Sequence, residues 1–282
     1  MQPPSASGAS RAARVTPLWG PTARDSAGTL VQARRTVRRQ IRRLGYDVHR
    51  YNGEPATFES RRTAIMRAHA VDLVLDVGAN VGQYGGELRR SGYLGHIVSF
   101  EPLTSAFGKL SARVAADAAW DCVHVALGEI AGETVIHVAG NSYSSSLLPM
   151  TDLHRRIAPE SAYVADETVA METLDFAAAP FLDGERRSLL KLDVQGYELA
   201  VLRGASETLK SVVVVEVEMS TRALYEGQPL WHEVVQFLAA AGFQLAVAHE
   251  LIVDPDSGEL LQLDGLFTLP SQAPPRPRGD EA

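Results

Sequence analysis

Val71-Asp-Leu-Val-Leu-Asp-Val-Gly-Ala-Asn-Val-Gly82 is the stretch on which the fold turns. Leu73 to Val77 is apolar except for Asp76, the pattern of a strand buried on both faces. It runs into Asp76-Val-Gly78-Ala-Asn80-Val-Gly82, and the spacing that follows predicts an amphipathic helix over about 81–92. Glycines at a strand-to-helix turn let a ligand approach the backbone closely, because no Cβ intervenes. The helix N-terminus then offers N–H groups and the positive end of its dipole. This is the nucleotide-pocket geometry of an α/β fold.

The glycine spacing is Gly-x-x-x-Gly, not the Gly-x-Gly-x-x-Gly of dinucleotide binders. Asp76 lies two positions before Gly78, and a carboxylate there suits a cationic ligand better than a pyrophosphate. S-adenosylmethionine carries an ammonium and a sulfonium, and the arrangement resembles that of class I methyltransferases. The second half of the pocket follows at the next strand, His96-Ile-Val-Ser-Phe100-Glu101-Pro102. An acid at that place accepts hydrogen bonds from both ribose hydroxyls, and Pro102 ends the strand and opens the next helix. The expected cofactor-binding set is Asp76, Gly78, Asn80, Gly82, Glu101 and Pro102. Against a nicotinamide-dependent dehydrogenase stands the glycine spacing. Against a non-catalytic binding protein on the same fold stands the intact set Asp76, Glu101 and Asp193.

Outward from this turn the chain alternates. A helix at about 57–69 precedes the first strand, a helix at 103–116 follows the second, and Asp121 to Leu127 reads as a third strand. Such alternation implies a parallel sheet with right-handed crossovers. The pattern breaks at Glu133 to Val138, which alternates like an edge strand, and at Asn141 to Leu147, a polar loop. Residues 151–167 read as irregular or loosely helical, and Thr168 to Leu174 as a further strand. Parallel order resumes at Leu189 to Asp193, with a helix at about 196–209, a strand core at Val212 to Val215 and a helix at about 230–241. Phe243 to Ala248 and Leu260 to Leu269, joined across Asp254 to Gly258, form a terminal antiparallel hairpin. The expected fold is therefore a mostly parallel seven-stranded Rossmann-like sheet with helices on both faces and that hairpin at its end.

The 282 residues, 45% of them hydrophobic, suit one main domain with appendages. No run of 18 apolar residues predicts a membrane span, no apolar N-terminal core predicts a secretory signal, and the single cysteine, Cys122, fits a reducing compartment. A cytoplasmic location, peripheral at the inner membrane face, is the expectation. The net charge of −7 is uneven: residues 1–62 hold twelve arginines, no lysine and four acids, a balance of +8 that leaves −15 for the rest. Six of those arginines fall in Arg34 to Arg43, with Val37, Ile41 and Leu44 at helical spacing. A short basic amphipathic helix follows, and residues 34–44 could meet anionic lipid, meet an acidic partner, or pack on the main domain. No nucleic-acid partner is expected. The expected divisions are a tail over 1–30, the basic helix and linker over 31–56, the main domain over 57–270 and a second tail over 271–282.

Further motifs carry a specific resemblance. Ala126-Leu-Gly128, Ser144-Ser-Ser-Leu147, Glu172-Thr-Leu-Asp175 and Leu190-Lys-Leu-Asp-Val-Gln-Gly-Tyr-Glu198 join the two pocket motifs, followed by Val201-Leu-Arg-Gly-Ala205, Glu216-Val-Glu218 and Leu224-Tyr-Glu-Gly-Gln-Pro229. Together they cover about 71–269, and over that length the chain resembles the FkbM-type S-adenosylmethionine-dependent methyltransferases. The resemblance implies methylation of oxygen, commonly hydroxyls of sugars in natural products, glycolipids and polysaccharides.

Methyl transfer is an in-line displacement that needs the acceptor aligned and its proton removed. Asp193 ends a strand, so it projects into the same crevice as Asp76 and Glu101. It is the first candidate base, with Glu218 and His249 at neighbouring strand ends as the others. Glu216 and Glu218 add to a convergence of carboxylates that requires compensation. Either a divalent cation, Mg2+ or Mn2+, is held by Asp193, Glu216 and Glu218, or Asp193 orients the ligands while Glu216 pairs with a lysine or arginine. Tyr143, Ser144, Ser145 and Ser146 sit where a lid could contact the acceptor. His124 and His137, within apolar strands, read as packed and hydrogen-bonded.

Overall fold

The computed structural model describes residues 57–141, 143–182 and 186–270. The expected tails and the basic helix over 34–44 lie outside them. Among the described residues no helix is long and apolar enough to cross a membrane.

Helix α1 (Phe58–Ala68) opens on a capping box: the Thr57 hydroxyl accepts from the Ser60 N–H, and Ser60 Oγ accepts from the Thr57 N–H. Its buried residues are Phe58, Arg62 and Met66, four apart, so an arginine sits in the middle of the stripe that faces the sheet. The main sheet then builds from β1 (Leu73–Val77), β2 (His96–Phe100), β3 (Trp120–Val123), β7 (Ser188–Leu192), β8 (Val212–Ser220), β9 (Gln244–Val253) and β10 (Leu260–Thr268). Their order is β3-β2-β1-β7-β8-β10-β9. Strands β3 to β8 are parallel, and β10 is inserted antiparallel between β8 and β9. This is the mostly parallel seven-stranded sheet with a terminal hairpin that the alternation predicts.

Helices α2 (Gln83–Arg90) and α3 (Thr104–Val114) follow β1 and β2, α6 (Glu198–Arg203) follows β7, and α7 (Trp231–Ala240) follows β8. The register explains where the core stops and the site begins. Ile97, Val74, Leu189 and Val214 form one row across four strands, packed on the face covered by α1, α2 and α3. Two residues further on, the same face carries Ser99, Asp76, Lys191 and Glu216 in register. Side chains alternate along a strand, so this polar row is a direct continuation of the apolar one. It lies at the carboxyl ends of the strands, on both sides of the β1/β7 boundary where the strand order reverses.

A second sheet holds β4 (Ala126–Gly128), β6 (Tyr163–Thr173) and β5 (Gly132–Ala139), in that order. It corrects two expectations. The strand expected over Asp121 to Leu127 is two strands in two sheets, because β2 ends where Glu101 N–H donates to the Val123 carbonyl and Pro102 has no N–H to continue the ladder. Residues 163–167, expected to be irregular, begin β6, which pairs along the whole of β5. Helix α4 (Asp152–Ile157) supplies the helical part of that region, and α5 (Leu174–Ala178) follows β6. The helix expected over about 196–209 stops at Arg203, with Gly204 as its C-cap.

Candidate functional site

A cleft of about 410 Å3 opens at the carboxyl ends of β1, β2, β7 and β8, within the roughly 300–1,000 Å3 usual for small-molecule sites. One end is walled by Gly78, Asn80, Glu101, Pro102 and Leu103, with Val125, Ala126, Leu127 and Ile136 as its apolar side. The other end is bordered by Phe58 and Arg62 of α1, Tyr84 of α2, Glu216 and Glu218 of β8, and His249 and Asp264 of the hairpin. Lys191, Asp193 and Gln195 lie along it, and Tyr143, Ser145 and Ser146 contribute from the loop after β5.

Glu101 is 5% exposed. Its Oε2 accepts from the Asn80 N–H at 2.8 Å and its Oε1 from the Leu103 N–H at 2.9 Å. Asn80 takes a left-handed backbone, φ 51°, to aim that N–H. Burial pushes Glu101 up to about 7, against the lowering effect of the two N–H donors. Each oxygen keeps a lone pair for a further donor, and the carboxylate lies on the wall of the cleft.

Buried charge organises the rest. Lys191 Nζ lies 3.5 Å from Asp76 Oδ1 and 3.3 Å from Asp193 Oδ2, and 5.4 Å from the Tyr84 ring centroid. Burial opposes its charge, but the carboxylates of Asp193, Asp76 and Glu216 outweigh that and hold it above the usual lysine range. Asp76, fully buried, also accepts from Ser99 Oγ at 3.0 Å, and Ser99 Oγ in turn accepts from Trp120 Nε1 at 3.0 Å. Arg62 binds Glu216 Oε1 at 3.0 Å, reaches Glu87, and lies over the Tyr84 ring. Tyr84 donates its phenol to Glu216 Oε2 at 2.7 Å. Gln195 Nε2 donates to Asp193 Oδ1 and to Glu218 Oε2, both at 2.7 Å. Burial and the negative charges of Asp193, Glu198 and Asp264 push Glu218 well above the carboxylate range, and burial together with Glu216 and Asp193 takes Asp264 to about 7.

The sequence matches the family described as Methyltransferase FkbM domain over residues 76–245, more than half of the chain. The chain belongs to the FkbM methyltransferase family. Among solved structures it is similar to an FkbM methyltransferase from Methylobacillus flagellatus KT, at 14% identity and a TM-score of 0.42 over 69% of this chain. This chain spans 43% of that protein's length. It is also similar to an S-adenosylmethionine-dependent methyltransferase from Aquifex aeolicus (11% identity, 74% of this chain and 89% of that one, TM-score 0.37). An rRNA methylase from Streptococcus thermophilus is a third (9% identity, 78% and 100%, TM-score 0.40). No curated relative matches.

S-adenosylmethionine fits the residues present in this FkbM chain. Glu101 offers acceptors for the ribose, and the Val125 to Leu127 side offers an apolar wall for a base. Two residues of the expected cofactor set stand away from the cleft. Asp76 does not line the cleft: its carboxylate lies beneath the wall, held by Lys191 and Ser99. Gly82 does not line it either, because its α-carbon hydrogens face Leu110, Arg113 and Trp120. Gly78 does, yet its lack of a Cβ serves the backbone. A Cβ there would stand 1.9 Å from the Asp193 carbonyl oxygen, at φ 77°, so the glycine lets the β1 and β7 turns close on each other.

Of the two alternatives for the acids, the pairing of Glu216 is the one present. Both of its oxygens are taken, by Arg62 and Tyr84. Among the described residues no group of three or more His, Cys, Asp and Glu side chains could hold an ion. Ser144 turns inward, its hydroxyl 2.9 Å from Ser161 Oγ, and does not line the cleft. Ser146 lines it but gives its hydroxyl to the Gln195 carbonyl at 2.6 Å, while Tyr143 is 66% exposed at the rim. His249, expected at a strand end, lies mid-strand in β9 opposite Asp264 and stacks on Phe58 at 5.2 Å. His124 and His137 are packed and bonded, to the Pro102 carbonyl and to Asp166.

The sequence reading left out Arg62, Tyr84, Lys191, Gln195 and Asp264. Two carried a signal: Arg62 breaks the apolar stripe of α1, and Asp264 interrupts an apolar strand.

Proposed function

We propose that this chain methylates oxygen, at a hydroxyl of a sugar carried by a glycolipid, a polysaccharide or a glycosylated natural product. The observation that carries the reading is Asp193. Its side chain is 37% exposed at the end of β7, anchored by Lys191 and Gln195, beside the glycine turn and on the wall of the cleft. When bound, S-adenosylmethionine supplies an electrophilic methyl group on sulfur. A sugar hydroxyl is a weak acid, and its proton must leave as the new bond forms. A carboxylate that accepts one hydrogen bond at each oxygen keeps lone pairs for that proton.

Glu218, pushed above the usual carboxylate range by burial and its acidic neighbours, lies in the same cleft within reach of a second hydroxyl. The His249 ring, backed by Phe58, offers an apolar face to the C–H side of a sugar, and Tyr143 and Ser145 face it from the loop after β5. Residues 34–44 are proposed to hold the protein near anionic lipid, where a lipid-linked acceptor would be met.

The test is methyl transfer from radiolabelled S-adenosylmethionine to glycosides, amines and carboxylic acids offered side by side. Label retained in glycosides after mild alkali, as an ether is, supports the reading. Label that leaves as methanol, from an ester, or that enters amines alone, rejects it.

A further inference from the structure

Gln195 has a left-handed backbone, φ 52°. A residue with a Cβ keeps that conformation where its surroundings enforce it. Ser146 does so from one side, its hydroxyl donating to the Gln195 carbonyl at 2.6 Å. Tyr225, fully buried, does so from another, its phenol donating to Gln195 Oε1 at 2.6 Å. The phenol has a second, longer acceptor in the Ser144 carbonyl at 3.2 Å; with Oε1 held by the phenol and carboxylate oxygens on the other side, Nε2 turns both its N–H bonds toward Asp193 and Glu218. Tyr225 is fixed in turn by Gln228. The Gln228 Oε1 accepts from the N–H groups of Leu224 and Tyr225, and its Nε2 donates to Ser220 Oγ at the end of β8.

The geometry points to Tyr225 and Gln195 as a positioning pair: Tyr225 orients the Gln195 amide, and the amide keeps the Asp193 and Glu218 carboxyl groups as two separate acceptors, one aimed at the substrate hydroxyl. This rests on Asp193 being the base. Two carboxyl groups in one crevice otherwise come to share a proton, and neither then serves as a free base. The charges facing the pair sharpen the need. Asp76 of β1, Glu216 of β8, Asp264 of β10 and Glu198 of α6 are acids, set against Lys191 of β7 and Arg62 of α1. Gln195 adds donors there without adding charge.

The experiment titrates the full chain by NMR, with carbon-13 in the Asp and Glu side-chain carboxyls, signals being assigned with Asp193→Asn and Glu218→Gln. Gln195→Ala removes a donor from each carboxylate and is expected to raise the upper midpoint of the pair by about one pH unit. Tyr225→Phe keeps the buried ring, frees the amide to turn, and raises the midpoint by less. Gln195→Glu, isosteric but acidic, raises it by more than Gln195→Ala. Calorimetry with S-adenosylhomocysteine checks that Tyr225→Phe, whose side chain lies outside the cleft lining, still binds the cofactor product.

Midpoints unmoved in Gln195→Ala and Tyr225→Phe overturn the proposal. If Gln195→Ala does not fold, Tyr225→Phe decides the question alone, and an unmoved midpoint there has the same force. A wild-type chain that does not bind S-adenosylhomocysteine overturns the cofactor site instead. Turnover kept by Asp193→Asn overturns the base assignment and the proposal that rests on it.

Discussion

S-adenosylmethionine is expected to bind this chain more tightly as pH rises through about 7, the value to which burial pushes Glu101. A ribose hydroxyl donating to an ionised carboxylate is worth about 1.5–3 kcal/mol, against about 1 kcal/mol for a neutral acceptor. Two such hydroxyls lose about 2 kcal/mol when Glu101 is protonated, roughly thirtyfold in dissociation constant. The free chain bears the opposite trend. The folded value lies above the ordinary 4.5, so the folded state binds more protons than the unfolded one between about 4.5 and 7. Its contribution to stability is therefore full below 4.5 and is lost as pH rises through 7. Glu198 and Asp264, both pushed up to about 7 by burial, act in the same sense.

The assay is calorimetric titration with S-adenosylhomocysteine from pH 5.5 to 8, for wild type and Glu101→Gln, with circular dichroism to follow folding. The variant carries the ionisation of the ligand and of every other carboxyl, so it is the baseline. Its affinity at pH 8 should be at least about tenfold weaker, the loss of one charge-assisted bond. Parallel pH dependence in the two proteins, or equal affinity at pH 8, would refute the role given to Glu101.

Asp193→Asn is nearly isosteric and should keep cofactor affinity while losing roughly 10²–10⁴ in turnover; more than a tenth of wild-type turnover would move the base to Glu218. Exhaustive chelation should leave wild-type turnover intact, because Arg62 and Tyr84 occupy Glu216, and activity restored only by added Mg2+ or Mn2+ would contradict that. Arg62→Ala strands a buried carboxylate and should lower unfolding free energy by about 3–5 kcal/mol in a urea titration; a loss under about 1 kcal/mol would mean that Glu216 is solvated or neutral. Deletion of residues 1–50 should abolish sedimentation with anionic liposomes, and the full chain should bind them less as salt shortens the screening length to about 8–10 Å; equal sedimentation of both assigns those arginines elsewhere.

The sequence was readable where function depends on neighbours along the chain. The turn from Asp76 to Gly82, Glu101 at the end of the next strand, and the run from Lys191 to Glu198 could be placed because strand, turn and helix follow one another there. It was opaque where function depends on partners across the sheet. Nothing local says that Arg62 will meet Glu216, or that Tyr225 will reach Gln195. Asp76 shows the same limit: its type and place were plain, but its partner, Lys191, comes from β7, which neighbours β1 in the sheet although five strands separate the two in sequence. The third strand was misread for a related reason, since its end is set by Pro102, which follows β2.

The reach of α1 and β10 across the sheet bears on how much of the chain can stand alone. The family match covers 76–245, yet Arg62 precedes it and Leu260–Thr268 follows it. A piece trimmed to the matched limits would keep every residue expected to hold the cofactor and still bury Glu216 without its cation. It would also cut into β1, remove nearly all of β9 and the whole of β10, and leave β8 without its antiparallel neighbour. Recognition motifs and autonomous folding thus have different borders here, and the smallest self-sufficient piece runs at least from the cap at Thr57 to the end of β10.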